Sequence, residues 1–127
     1  MYENRKVKIK TGLGQDSHRF QEQSLTPKPL ILGGIIFEDN LSLQGNSDAD
    51  VVLHALCNAI SGVTGVNILG KISDDLCAKG ITDSKVYVKE ALKYLGDWKI
   101  CHVSFSIECQ VPKITPRISD MKQNISK

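Results

Sequence analysis

The stretch GLGQDSHRF, residues 12–20, sets a carboxylate and an imidazole two positions apart, Asp16 and His18, directly after a pair of glycines. In an extended chain, side chains at i and i+2 project to the same side, so the two groups can grip one object together. A third group of the same chemistry, His54, lies downstream in SDADVVLHAL. Two imidazoles and a carboxylate are a donor set that catalytic zinc commonly takes, leaving a fourth tetrahedral position for water or substrate. Spacing alone leaves a plainer reading open. In that reading Asp16 caps a turn, His18 is a surface residue and His54 is a hydrogen-bonded histidine between two elements.

Bringing such a set together requires a loop and a helix. Val7 and Ile9, flanked by lysines and followed by TGLG, predict a first strand that runs out into a glycine turn. QEQSLTPKP reads as a polar, proline-marked loop. LILGGIIF reads as two short apolar runs folded into a tight hairpin at Gly33 and Gly34. The stretch NSDADVVLHALCNAISGVTG predicts a helix. Ser47 and Asp50 form its S-x-x-D capping signature, and Asp48 adds negative charge at the positive end of the helix dipole. Val52, Leu56, Ala59, Ile60 and Val63 make one apolar stripe along it. Asp50, His54 and Ser61 lie off that stripe. His54 is about 200° around the helix from Val52, which points it away from the main apolar face. Asp50 reads either as half of the cap or as an orienter of a ligand.

TDSKVYVKEALKYLG predicts a second helix, with Val88, Ala91, Leu92 and Leu95 at helical spacing and Gly96 as its stop. CHVSFSIEC alternates as a strand does, Val103, Phe105, Ile107 and Cys109 on one face and His102, Ser104, Ser106 and Glu108 on the other. Beyond Pro112 the chain is polar, and PRISDMKQNISK predicts the start of a last helix.

The 127 residues are the length of one domain with a single core. Sixteen Lys and Arg against 14 Asp and Glu give a net charge of +2, and the basic residues are scattered, which gives no reason to invoke nucleic acid or an anionic membrane. The longest apolar runs fall far short of the roughly 20 residues that cross a bilayer. The four cysteines, Cys57, Cys77, Cys101 and Cys109, include no C-x-x-C pair, which argues against a thiolate zinc knuckle and for a reducing, cytoplasmic setting.

In order and spacing, GLGQDSHRF, PLILGGIIF, SDADVVLHAL, GK and DS ahead of a helix, and a strand ending in QVPK resemble the 2-C-methyl-D-erythritol 2,4-cyclodiphosphate synthases of the non-mevalonate isoprenoid pathway, over most of residues 7 to 117. The resemblance implies a single α/β domain over residues 1–127, with a four-stranded mixed sheet, helices on one face and homotrimeric assembly with active sites between subunits. It implies a phosphorus-oxygen lyase, cytoplasmic or in a plastid-type organelle. Such an enzyme cyclises 4-diphosphocytidyl-2-C-methyl-D-erythritol 2-phosphate and releases CMP. By the same match Asp16, His18 and His54 are the zinc ligands. Asn46 and Ser47 fall where the family contacts phosphate, Asn46 at a position that stabilises the transition state. Ile68, Leu69 and Gly70 match the segment that holds the methylerythritol diol. Val111, Pro112 and Lys113 match the wall of the cytidine pocket. Ser47 is equally well explained as a helix cap.

Three departures accompany the likeness. Asn46 stands where the family has histidine, and it cannot carry a positive charge near pH 7. Ile68 stands where an aspartate grips the diol, a loss of roughly 1–3 kcal/mol if no other acceptor replaces it. The chain also ends before the family's last strand and helix, which bring a threonine pair and the glutamate of a second divalent ion, Mg2+ or Mn2+. The expectation is therefore a C-terminally incomplete domain with an uncovered sheet edge. A non-catalytic relative that keeps zinc and nucleotide but has lost turnover is the alternative.

Overall fold

Asp50 is the residue around which the chain closes. In this computed structural model, which describes residues 7–21, 28–38, 41–45 and 47–126, its carboxylate is buried and accepts three backbone N–H groups. Those of Gly33 and Leu53 reach Oδ1 at 2.9 and 3.1 Å, and that of Gly34 reaches Oδ2 at 2.7 Å. Two elements are fixed by it. One is the hairpin of β1 (Leu30–Leu32) and β2 (Ile35–Phe37), whose register pairs Leu30 with Phe37 and Leu32 with Ile35. Gly33 and Gly34 turn it with φ of 59° and 78°, the paired positive values that a two-residue turn of this hand demands. The other is helix α1 (Val51–Thr64), for which Asp50 is the N-cap.

The predicted cap at Ser47 does not form. Ala49 has φ of 57°, so the backbone is not helical there, and Ser47 Oγ accepts the Ala49 N–H at 3.1 Å instead. The helix starts three residues later than a box opened at Ser47 would place it.

Helix α1 is wrapped on several sides, more than a single stripe would allow. Val52 at its start joins Leu30, Leu32, Phe37, Leu43, Ala49 and Met121 in one apolar cluster. Leu56, Cys57 and Ile60 join Ile68, Tyr87 and Ala91 in a second. Helices α2 (Lys71–Ala78) and α3 (Ser84–Lys93) follow, and α4 (Ile118–Ile125) packs its Met121 onto the hairpin turn, where Asn124 Nδ2 donates to the Gly33 carbonyl at 2.9 Å. The second and last helices and the hairpin stand where the sequence puts them; α2 had no counterpart in that reading.

The four-stranded sheet is not what the structure shows. Among the described residues there is one two-stranded sheet and four α-helices, consistent with an α/β fold. Val7 and Ile9 are each 82% exposed and unpaired. Residues 101–109 keep their alternation, but no strand is assigned to them. A ladder needs a hydrogen-bonded neighbour, and alternation alone supplies none. One isolated antiparallel bridge, Phe20 to Leu43, ties the loop after Asp16 to the segment before α1. Most of the QEQSLTPKP loop, residues 22–27, lies outside the described residues.

Burial pushes the Asp50 carboxyl up to about 6, against its three N–H donors, which pull the other way. The folded value lies above the ordinary 3.8, so the folded protein holds a proton that the unfolded chain releases. That contribution to stability is complete below 3.8 and is lost as pH rises to about 6. Asp50→Asn removes the titration and sets an amide N–H against that of Gly34. We expect the pH slope over that window to flatten and stability at pH 7 to fall by about 1–3 kcal/mol, read from urea midpoints across pH.

Candidate metal centre

The loop that carries Asp16 and His18 reaches its place because two glycines let it lie on the backbone of α1. A Cβ at Gly12 would sit 2.1 Å from the Ala59 carbonyl oxygen, and one at Gly14 would sit 1.9 Å from that of Ala55. Glycines at i and i+2 face the same way, and Ala55 and Ala59 at i and i+4 make the shallow strip of helix that receives them. Beyond the glycines the bridge at Phe20 holds the loop with two backbone bonds, Gln21 N to Ser42 O at 2.6 Å and Gln44 N to Arg19 O at 2.8 Å. The Gln44 carbonyl also accepts His18 Nδ1–H at 2.9 Å. That bond fixes the ring and leaves Nε2 as its electron-pair donor.

His54 comes from the first turn of α1, its N–H bonded to the Asp50 carbonyl at 2.9 Å. The three candidate ligands meet edge to edge. Asp16 Oδ2 lies 2.9 Å from His18 Nε2 and 3.1 Å from His54 Nδ1, and the two ring nitrogens are 3.2 Å apart. A tetrahedral zinc with bonds near 2.0–2.1 Å separates its ligands by roughly 3.3 Å, so the triangle fits such an ion with a small expansion. These are also the residues among those described that cluster as a potential metal site. The geometry thus favours the ligand reading of Asp16, His18 and His54 over three independent structural roles.

Exposure falls across the triangle, from 24% for the Asp16 side chain to 20% for His18 and 9% for His54. The open side faces a cavity of about 450 Å3 that Asp16 and His18 share with Phe105, Ile107, Val111 and Pro112. Burial lowers the His54 pKa, with the neighbouring His18 adding to the effect and Asp16 opposing it. The neutral ring is the form that binds a metal.

The remaining candidates are distributed around this centre. Val111 and Pro112 line the same cavity as Asp16 and His18, and exposed Lys113 follows them. Ser47 is buried with Oγ 3.5 Å from His54 Nε2. Its backbone carbonyl and that of Gly45 are held by Lys28 Nζ at 3.1 and 2.7 Å. Asn46 lies outside the described residues. Ile68 has no exposed surface and belongs to the second apolar cluster, Leu69 packs against that cluster, and Gly70 is the N-cap of α2.

The sequence reading missed Gly12 and Gly14 as the cause of the loop's placement, the Gln44 carbonyl, and Ser84, whose Oγ lies 2.7 Å from His54 Nε2. The glycine spacing against two alanines four apart was a legible signal. A backbone carbonyl leaves none.

The sequence pattern of the YgbB family matches residues 9–127. The 2-C-methyl-D-erythritol 2,4-cyclodiphosphate synthase of Chlamydia muridarum is 52% identical over 120 residues, covering 93% of this chain and 67% of that protein. The enzyme of the same name from Chlamydia caviae is 50% identical over 119 residues, covering 92% and 67%. Among solved structures, a 2C-methyl-D-erythritol-2,4-cyclodiphosphate synthase with CDP bound superposes with a TM-score of 0.78 at 26% identity, covering 92% of this chain and 77% of that one. IspF from Plasmodium falciparum in complex with CDP gives 0.72 at 28% identity, covering 91% and 70%.

Gly14→Ala must push the loop off α1, because the listed contact is helix backbone that cannot yield. We expect a loss of about 1–3 kcal/mol and of stoichiometric zinc binding. Gly62→Ala, whose Cβ meets nothing nearer than 3.8 Å in α1, should keep zinc and gain roughly 0.5–1 kcal/mol. Thermal melts and elemental analysis of the two variants check the pair.

Proposed function

The chain belongs to the YgbB family of 2-C-methyl-D-erythritol 2,4-cyclodiphosphate synthases, and from that premise we propose that it cyclises 4-diphosphocytidyl-2-C-methyl-D-erythritol 2-phosphate with release of CMP. The observation that carries the reading is the Asp16–His18–His54 triangle opening onto a cavity walled by Val111 and Pro112. In the reaction an oxygen of the 2-phosphate forms a bond to the β-phosphorus, and the bond from that phosphorus to the oxygen bridging to the α-phosphate breaks. The electron pair leaves with CMP. An already ionised phosphate needs no general base, so the protein's task is alignment and charge.

Asp16, His18 and His54 would hold zinc, which supplies polarisation of a phosphoryl oxygen. Ser47, beside His54, and Asn46 would contact phosphate. The wall of Val111, Pro112 and Lys113 would receive the cytidine, whose pocket would rely largely on backbone groups. The segment Ile68, Leu69 and Gly70 would meet the diol through its backbone, since the Ile68 side chain is inside the core. A second divalent ion, Mg2+ or Mn2+, would bridge the phosphates. Assembly as a homotrimer is supported by apolar side chains left in water on the site side, among them Leu13 at 92% exposed.

One observation favours a second reading, a relative that retains zinc and nucleotide without turnover. Ile68 is buried and apolar at the position where the family's acceptor for the diol is expected. Incubation with the cytidyl substrate, followed by chromatography, separates the two. We expect CMP and cyclic diphosphate in equal amounts. His54→Ala should lose zinc and lower the rate by about 10³-fold, equivalent to roughly 4 kcal/mol. Zinc-loaded protein that forms no CMP would favour the non-catalytic relative, and inorganic phosphate as product would indicate a phosphohydrolase.

A further inference from the structure

Behind the triangle, on the side away from the cavity, the other nitrogen of His54 enters a second set of hydrogen bonds. Ser84, the first residue of α3, has no exposed surface. Its backbone N–H donates to Asp48 Oδ2 at 3.0 Å, and its hydroxyl donates to Asp48 Oδ1 in a short bond. Asp48 is itself fixed. Its N–H donates to the Thr82 carbonyl at 2.9 Å, and its Oδ1 also accepts the Asp50 N–H at 3.1 Å.

A serine hydroxyl has one proton, and a carboxylate competes for it better than a neutral ring nitrogen. With that proton committed to Asp48, Ser84 Oγ can only accept from His54 Nε2, 2.7 Å away. Ser47 Oγ, at 3.5 Å, is a marginal alternative partner for the same nitrogen. The consequence falls on the opposite side of the ring, where Nδ1 faces Asp16 Oδ2 and His18 Nε2.

We propose that Ser84 and Asp48 form a positioning relay that holds His54 in its Nε2–H tautomer, so that Nδ1 is always the electron pair offered to the ion. The relay makes the site respond to the α1–α3 contact. His54 comes from one helix and the group that sets its proton comes from the start of the other. This inference rests on the zinc reading of the triangle for its purpose, but the proton on His54 is measurable without metal.

The test uses the full chain. In the metal-free protein, long-range 1H–15N spectra should show His54 protonated on Nε2, and Nδ1–H there overturns the relay. Ser84→Ala removes the acceptor while its backbone N–H can still reach Asp48. It should weaken zinc binding by about 10–100-fold in chelator competition and mix the His54 tautomers. It should also shift the visible bands of the cobalt-substituted protein, which a purely structural role would not do. Zinc affinity within about twofold of wild type in that variant overturns the proposal. If the wild-type chain takes up no zinc, the metal reading fails and the tautomer still decides the relay. If Ser84→Ala does not fold, the wild-type spectrum decides it.

Discussion

A single buried carboxylate, Asp50, determines where the candidate site can be. It stops the backbone of α1 from fraying by accepting the Leu53 N–H, and with the same two oxygens it clamps the Gly33–Gly34 turn. Each bond to a charged or partly charged acceptor of this kind contributes about 1.5–3 kcal/mol net, and leaving any of the donors unmet inside the core costs a comparable amount. His54 begins one turn further on, with its N–H on the Asp50 carbonyl. The direction of its ring is therefore set by the same residue that joins helix to hairpin. The metal centre is rooted in the core through that one helix turn, whereas Asp16 and His18 are brought to it by a loop.

That loop is held by contact, not by a ladder. Gly12 and Gly14 give it a close approach to α1 that no side chain would permit, and the bridge at Phe20 and Leu43 closes it at the other end. The three ligand atoms come from segments up to 38 positions apart and still lie within a little over 3 Å of one another. Burial and openness are divided in the way catalysis requires. His54 is enclosed and kept neutral, and Asp16 stands at the mouth of the cavity.

Local chemistry made part of this legible in the sequence. The hairpin at two consecutive glycines, the helix bearing His54 and the helix stopped by Gly96 all follow from turn residues and periodicity, and each is present. The donor set was legible as residue types, although spacing could not say that 16, 18 and 54 would meet. What failed did so for non-local reasons. The S-x-x-D box was defeated by the left-handed Ala49, which serves the turn that sends Asp50 inward. His54 was read as pointing away from the apolar stripe, which is true of Val52's face, but α3 covers the other side and buries it. The expected strands at 7–9 and 101–109 have the right patterns and no ladder, because pairing is a property of two segments and the pattern is a property of one.

The segment 101–109 shows what such a pattern does when unpaired. Val103, Phe105 and Ile107 remain 39%, 38% and 36% exposed, turned toward α1 yet incompletely covered. Cavities of about 450 and 480 Å3 run between this segment, the glycine loop and the helix. At roughly 25 cal/mol per Å2, apolar surface left in water on this scale forgoes stabilisation that a tightly packed layer would have supplied. The rigid half of the site thus lies on the hairpin–α1–α3 side, where Asp50, Ser84 and Asp48 leave His54 little freedom. The cavity side is built from the less closely packed chain. Specificity for a large, charged ligand would have to arise there, in segments that gain contacts when the cavity is filled, while the ligand triangle is preorganised by the core before anything binds.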